Sequence, residues 1–149
     1  MGRIIFAVIL TALTFLGVDC SGKTVKVTEA WTHASRSDAT SAQVFMHLEN
    51  KIGSDDTLTA ATAYVAESAV IETTKNPNGS DAPVELPHLL IKTDQTVSLS
   101  KNKTYILLKK LKQPLVAGER FPIVLTFTKA GTFTHDILIQ PAGTIAYED

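Results

Sequence analysis

Beyond the first twenty residues, apolar and polar positions alternate in short runs separated by turn-forming residues. Val25, Val27 and Trp31 share one phase of a first run, and Val44, Met46 and Leu48 share one phase of a second. Leu58 to Tyr64 and Ala69 to Thr73 form two more, divided by a bend at Ala66-Glu67-Ser68. Thr96 to Leu99 and Tyr105 to Leu111 follow, with Lys101-Asn102-Lys103 as the turn between them. Phe121, Ile123, Leu125 and Phe127 then alternate with Pro122, Val124, Thr126 and Thr128, and Lys129-Ala130-Gly131 turns the chain into Phe133 to Ile139. A period of two sets every second side chain against a core, the arrangement of an antiparallel sheet with one covered face. Punctuation about every ten residues is the spacing of a β-sandwich or small barrel. Pro122 lacks a backbone donor and belongs at a strand start or an edge. Asn76 to Asp81, with Pro77 and Asn78-Gly79, is the most turn-rich segment and reads as a loop or hairpin tip.

The first twenty residues follow a different rule. Arg3 precedes Ile4 to Leu10 and Ala12 to Leu16, an apolar stretch too short to span a bilayer comfortably, and a polar segment comes next. This is the layout of a secretory signal peptide over 1–20, leaving a single domain over 21–149 and a periplasmic or secreted location. Cys20 is the only cysteine. A lipoprotein reading would acylate it, but Asp19 stands where a small residue is expected, so soluble export is expected ahead of lipid anchoring. Without Cys20 the mature domain has neither disulfide nor thiolate.

Composition narrows the partners. Hydrophobic residues make up 44% and the formal net charge is −1, which suggests neither nucleic acid nor an anionic membrane surface. No membrane span is expected in the mature chain. No Gly-x-Ser-x-Gly elbow, Gly-rich phosphate loop or His-Glu-x-x-His pair occurs. His135 and Asp136 are neighbours on a strand and point to opposite faces, so they make no dyad. Asp55-Asp56 reads as a solvated turn, and no enzymatic activity is expected.

Several short motifs occur in a telling order: Ala30-Trp31, Leu48-Glu49-Asn50-Lys51, Gly53 with Asp55-Asp56 and Leu58, Val65-Ala66-Glu67, Leu111-Lys112-Gln113-Pro114-Leu115, and Gly118-Glu119-Arg120. In this order they resemble the periplasmic copper chaperones known as PCu(A)C. The resemblance implies a cupredoxin-like, Ig-like antiparallel β-sandwich that handles Cu(I). It also implies delivery to a copper-receiving envelope protein, such as a cytochrome oxidase subunit or assembly factor. The copper site it implies is a soft one of His and Met, suited to Cu(I) without a thiolate. Those ligand positions fall here on Glu72, Thr74, Tyr105 and Leu107, with a further Met position near Asp81-Ala82. The chain has only Met1 and Met46, and Met46 shares the phase of Val44 and Leu48, so the soft donor set is absent.

Four histidines remain as alternatives. His33 follows Trp31 among Ser35, Arg36 and Ser37 and reads as a surface residue. His135 shares the phase of Phe133 and Ile137 and reads as a half-buried, hydrogen-bonded imidazole. His47 lies in phase with Phe45 on a face opposite the core, where the two form a candidate interaction patch. His88 is the histidine expected near Glu72 and Tyr105. Glu72, His88 and Tyr105 would make a harder nitrogen and oxygen site, suited to Cu(II) or Zn(II). Copper is thus the one cofactor implied. The rival expectation is a metal-free envelope interaction module on the same scaffold.

Overall fold

Each of the alternating runs becomes a strand in the computed structural model, which describes residues 23–75, 79 and 82–148. The signal segment with Cys20, and most of the turn-rich stretch 76–81, lie outside the described residues. The strands are β1 (Val25–His33), β2 (Ser41–Asn50), β3 (Asp56–Ala63), β4 (Ala66–Thr73), β5 (Val84–Leu86), β6 (Leu89–Ile91), β7 (Thr96–Leu99), β8 (Thr104–Leu111), β9 (Arg120–Phe127) and β10 (Gly131–Gln140). β5 and β6 have three residues each, too few for alternation to register, and the sequence pattern misses them.

The sheet runs β4-β8-β2-β1-β10-β9-β3 and closes on itself where Ala61 of β3 pairs with Ala69 of β4. β5, β6 and β7 extend it on β4, β3 and β2. The result is a closed all-β domain, which leaves few open edges. One ladder departs from the expected antiparallel order: β1 and β10 run parallel, with Trp31 opposite Leu138. Alternation within a strand carries no record of which distant strand lies beside it, so only the folded chain reveals this pairing.

The interior follows the predicted phases. Val44, Met46, Leu48, Ile106 and Leu108 pack against Leu58, Phe121, Ile123, Leu125 and Ile137, all fully or almost fully buried. Pro122 sits in a central strand, yet the expectation holds in substance. The β3–β9 ladder ends at Ala63–Ile123, so β9 has no β3 partner at Pro122.

The first strand breaks its phase. Glu29 has φ 48°, and the β1–β2 register slips between Thr28 and Trp31. This bulge sends Val25, Val27 and Ala30 into the core and turns Trp31 to the opposite face. Trp31 therefore does not share the side of Val25 and Val27, as strict alternation predicts.

Two polar residues of the ordered motifs are structural. Asn50 is fully buried; its Nδ2 donates to Ser54 O at 2.8 Å and Ile91 O at 2.9 Å, and its Oδ1 accepts from Ile52 N at 2.9 Å. Asp56 is not a solvated turn residue but 2% exposed. Its carboxylate accepts from the backbone N–H of Thr57, Lys129 and Ala130 at 2.8, 2.8 and 2.9 Å, pinning the β9–β10 turn to the start of β3.

Candidate functional site

The bulge at Glu29 creates the most distinctive surface of the molecule. Trp31 turned outward meets Phe45 of β2 at a ring separation of 5.0 Å, and Tyr105 of β8 completes a buried trio. Leu107, Leu138 and Tyr147 pack around it. His33 stands edge-on to both rings, 4.9 Å from Trp31 at 71° and 5.9 Å from Phe45 at 85°. These are favourable edge-to-face geometries. His33 is therefore no plain surface residue: its Nε2 also lies 2.7 Å from Thr144 O in the C-terminal segment. Phe45, expected on an exposed patch, is 3% exposed because Trp31 and Tyr105 flank it and the segment after β10 folds over it. His47 is half-buried, with Nδ1 3.6 Å from Glu29 Oε2.

Two of the positions to which the resemblance assigns ligands, Glu72 and Tyr105, meet. Glu72 and Tyr105 are opposite one another in the β4–β8 ladder, and Val70 is opposite Leu107. The side chains there are already engaged with one another. Tyr105 Oη donates to Glu72 Oε2 at 3.1 Å, and Lys109 Nζ stands 3.9 Å from Glu72 Oε1 and 3.3 Å from Glu85 Oε2. Thr74 Oγ1 donates to Asn102 O at 2.7 Å. Burial, followed by the Glu72 carboxylate, pushes the Tyr105 phenol above its usual pKa. A phenol held protonated and donating to a carboxylate is a poor metal ligand, and the carboxylate carries an ammonium partner. The donors that meet are hard oxygens, unsuited to Cu(I).

His88 is exposed and lies three residues beyond Glu85, the ladder partner of Glu72. The bend at Pro87 separates it from β5, and β6, which begins at Leu89, pairs with β3 rather than with β4. Among the described residues, no three His, Cys, Asp or Glu side chains gather as a metal-binding group. Ala82 is exposed, and Asp81 lies outside the described residues. His135 is half-buried on β10; desolvation first, and Arg120 second, hold its pKa below the usual imidazole value against the opposing pull of Asp136.

Beside Trp31 and Phe45 lies a cleft of about 440 Å³. It is lined by the rings of Trp31, His33 and Phe45, by Glu29 and His47, by the Ser100-Lys101 turn, and by residues of the C-terminal segment including Thr144, Ile145 and Tyr147. A volume of this size is that of a small-molecule site, about 300–1,000 Å³. The cleft, Lys109 and the C-terminal wall were all invisible to alternation and motif reading. The wall lies past the last strand, and the aromatic lining depends on a bulge centred on a non-glycine residue with positive φ, which no local residue pattern announces.

Comparison with known proteins agrees with this architecture. The chain has the fold of the apo PCuAC domain from PmoF1, with 29% identity, a TM-score of 0.68, and coverage of 80% of this chain and 95% of that one. It matches the copper-bound PCuAC domain from PmoF2 in fold, at 19% identity and a TM-score of 0.70 over 80% and 94% of the two chains. Apo-DR1885 from Deinococcus radiodurans is 25% identical, with a TM-score of 0.63 over 96% and 98%. A protein of Leifsonia xyli subsp. xyli named "Putative lipoprotein Lxx21020" is 29% identical over 109 residues. That match spans 72% of this chain and 64% of the relative, less than two thirds of its length. Residues 25–139 match the family model described as "Putative lipoprotein LpqE-like", so this chain, built on the PCuAC fold, belongs to the LpqE-like family.

Proposed function

We propose that this protein is a membrane-anchored envelope binding module that uses the PCuAC scaffold without Cu(I). The observation that carries the reading is the Tyr105–Glu72–Lys109 set where two of the assigned ligand positions meet and hard donors are already satisfied by each other. The neighbouring aromatic cleft supplies a binding surface in place of the metal, and binding rather than catalysis is its role. The family description and the Leifsonia relative's name reverse the expected order of export modes. Lipid attachment at Cys20 becomes the favoured reading, and mass spectrometry for a diacylglyceryl adduct, lost in Cys20→Ala, tests it.

A second reading keeps copper. Its support is the likeness to PCuAC domains and the meeting of Glu72 with Tyr105 in one ladder position. The chain would then hold a harder copper ion through Glu72, Tyr105 and His88 and pass it to a copper-receiving envelope protein, a cytochrome oxidase subunit or assembly factor. Competition titrations of Cu(I) and of Cu(II), each against a chromogenic chelator for that ion, separate the two. The expected result is that each chelator keeps its copper. Withdrawal of copper by the protein, abolished by His88→Ala, overturns the metal-free reading.

A further inference from the structure

A second depression, about 360 Å³, adjoins the cleft, and the two share His33 and Lys101 as lining residues. Their chemistry differs. The first is lined by the rings of Trp31 and Phe45 and by tail residues including Thr144, Ile145 and Tyr147. The second is lined by short polar side chains, among them Ser35 and Ser41, and its ionisable lining residues are all basic: His33, Arg36 and Lys101. Asp38, which pairs with Arg36 at 3.3 Å, is not among the lining residues. The one carboxylate in the combined lining is Glu29, which lines the aromatic lobe and is paired with His47.

An apolar shelf leading into a basic, hydroxyl-bearing lobe has the polarity of an amphiphile with a negative head. We propose that the two lobes together bind a single-chain amphiphilic anion, its apolar body over Trp31 and Phe45 and its head between Arg36 and Lys101. A cationic head placed there meets like charge, and a neutral one forgoes the charge-assisted hydrogen bonds that guanidinium and ammonium offer a carboxylate or phosphate. Glu29 is held at φ 48°, a conformation that non-glycine residues rarely adopt, and the bulge it forms is what turns Trp31 and His33 toward the cleft. This assignment rests on the metal-free reading above and names the ligand class of that surface.

Trp31 is the only tryptophan of the chain, so its fluorescence reports the cleft without labelling. The purified protein is titrated with decanoate and decyltrimethylammonium below their micellar concentrations and with decanol below its solubility limit. The expected result is a saturable change with decanoate, about tenfold weaker with decanol and absent with the cation. The double variant Arg36→Glu/Lys101→Glu alters two exposed side chains and leaves the core untouched. It should reduce decanoate affinity about tenfold while decanol binding stays as it was, and raising the salt should weaken decanoate alone. Equal response to all three probes, or a saturable response that the charge-reversed variant retains in full, overturns the anion assignment. No response to decanoate in a protein that also leaves copper on both chelators overturns the ligand class but not the metal-free reading. Withdrawal of copper overturns the latter independently of the fluorescence result.

Discussion

Replacing Asp56 by Ala should cost substantial stability, because it releases the β9–β10 turn from the start of β3. The carboxylate is buried and accepts from three backbone N–H groups, two of them, Lys129 and Ala130, more than seventy residues away in sequence. A hydrogen bond to a charged acceptor contributes about 1.5–3 kcal/mol. The Thr57 bond is local and partly replaceable, so the two long-range bonds decide the loss. Both turn amides are only part-buried, and water recovers some of their hydrogen bonding, which brings the net cost to about 3 kcal/mol. For a domain of this size, roughly 3–5 °C per kcal/mol converts that to a fall in Tm of about 10–15 °C. Thermal melts followed by circular dichroism, with a urea titration alongside, measure it. Asp56→Asn keeps an acceptor for Thr57 and Lys129 but presents an amide to the N–H of Ala130, so its loss should be intermediate. A fall below about 3 °C for the Ala variant, or an Asn variant no better than Ala, refutes the view that this carboxylate clamps the turn.

Replacing Glu72, Thr74, Tyr105 and Leu107 together by His, Met, His and Met should confer Cu(I) binding in the chelator competition, because Glu72 and Tyr105 already face one another in the ladder; a folded quadruple variant without affinity refutes the positional match. His135→Gln should flatten the acid side of the stability profile. The lowered pKa of the folded imidazole means the unfolded chain takes up the proton first, so stability is present above the ordinary histidine pKa, about 6.5, and is lost as pH falls from there through the lower folded value. Melts between pH 8 and 5 check this, and an unchanged slope contradicts it. Glu29→Val should destabilise by about 1–2 kcal/mol, since a β-branched residue resists positive φ, whereas Glu29→Gly should be neutral or stabilising by up to about 1 kcal/mol. Urea midpoints for the pair settle the comparison, and equal midpoints argue against strain at the bulge.

The residues that alternate most cleanly, Phe121 to Phe127 on β9 and Val44 to Leu48 on β2, announced both their strands and the side that enters the core. The order of the short motifs carried the PCuAC likeness, and the absence of Met at the assigned ligand positions was legible from composition alone. These properties reside in the local chain: side-chain period, turn residues and donor identity are set residue by residue. The parallel meeting of β1 with β10 and the closure at Ala61–Ala69 are long-range pairings, chosen by how the whole sheet buries its apolar face, and no local period encodes them. The slip at Glu29 is of the same kind. A glutamate in a strand gives no sign of positive φ, yet that one residue reverses the side on which Trp31 and His33 lie. The chain by itself determined the strands, the family likeness and the loss of soft copper donors. Tertiary structure alone decided that Phe45 is covered, that Glu72 is matched by Tyr105 and Lys109, and that the C-terminal segment walls an aromatic cleft, because each depends on elements brought together only when the sheet closes.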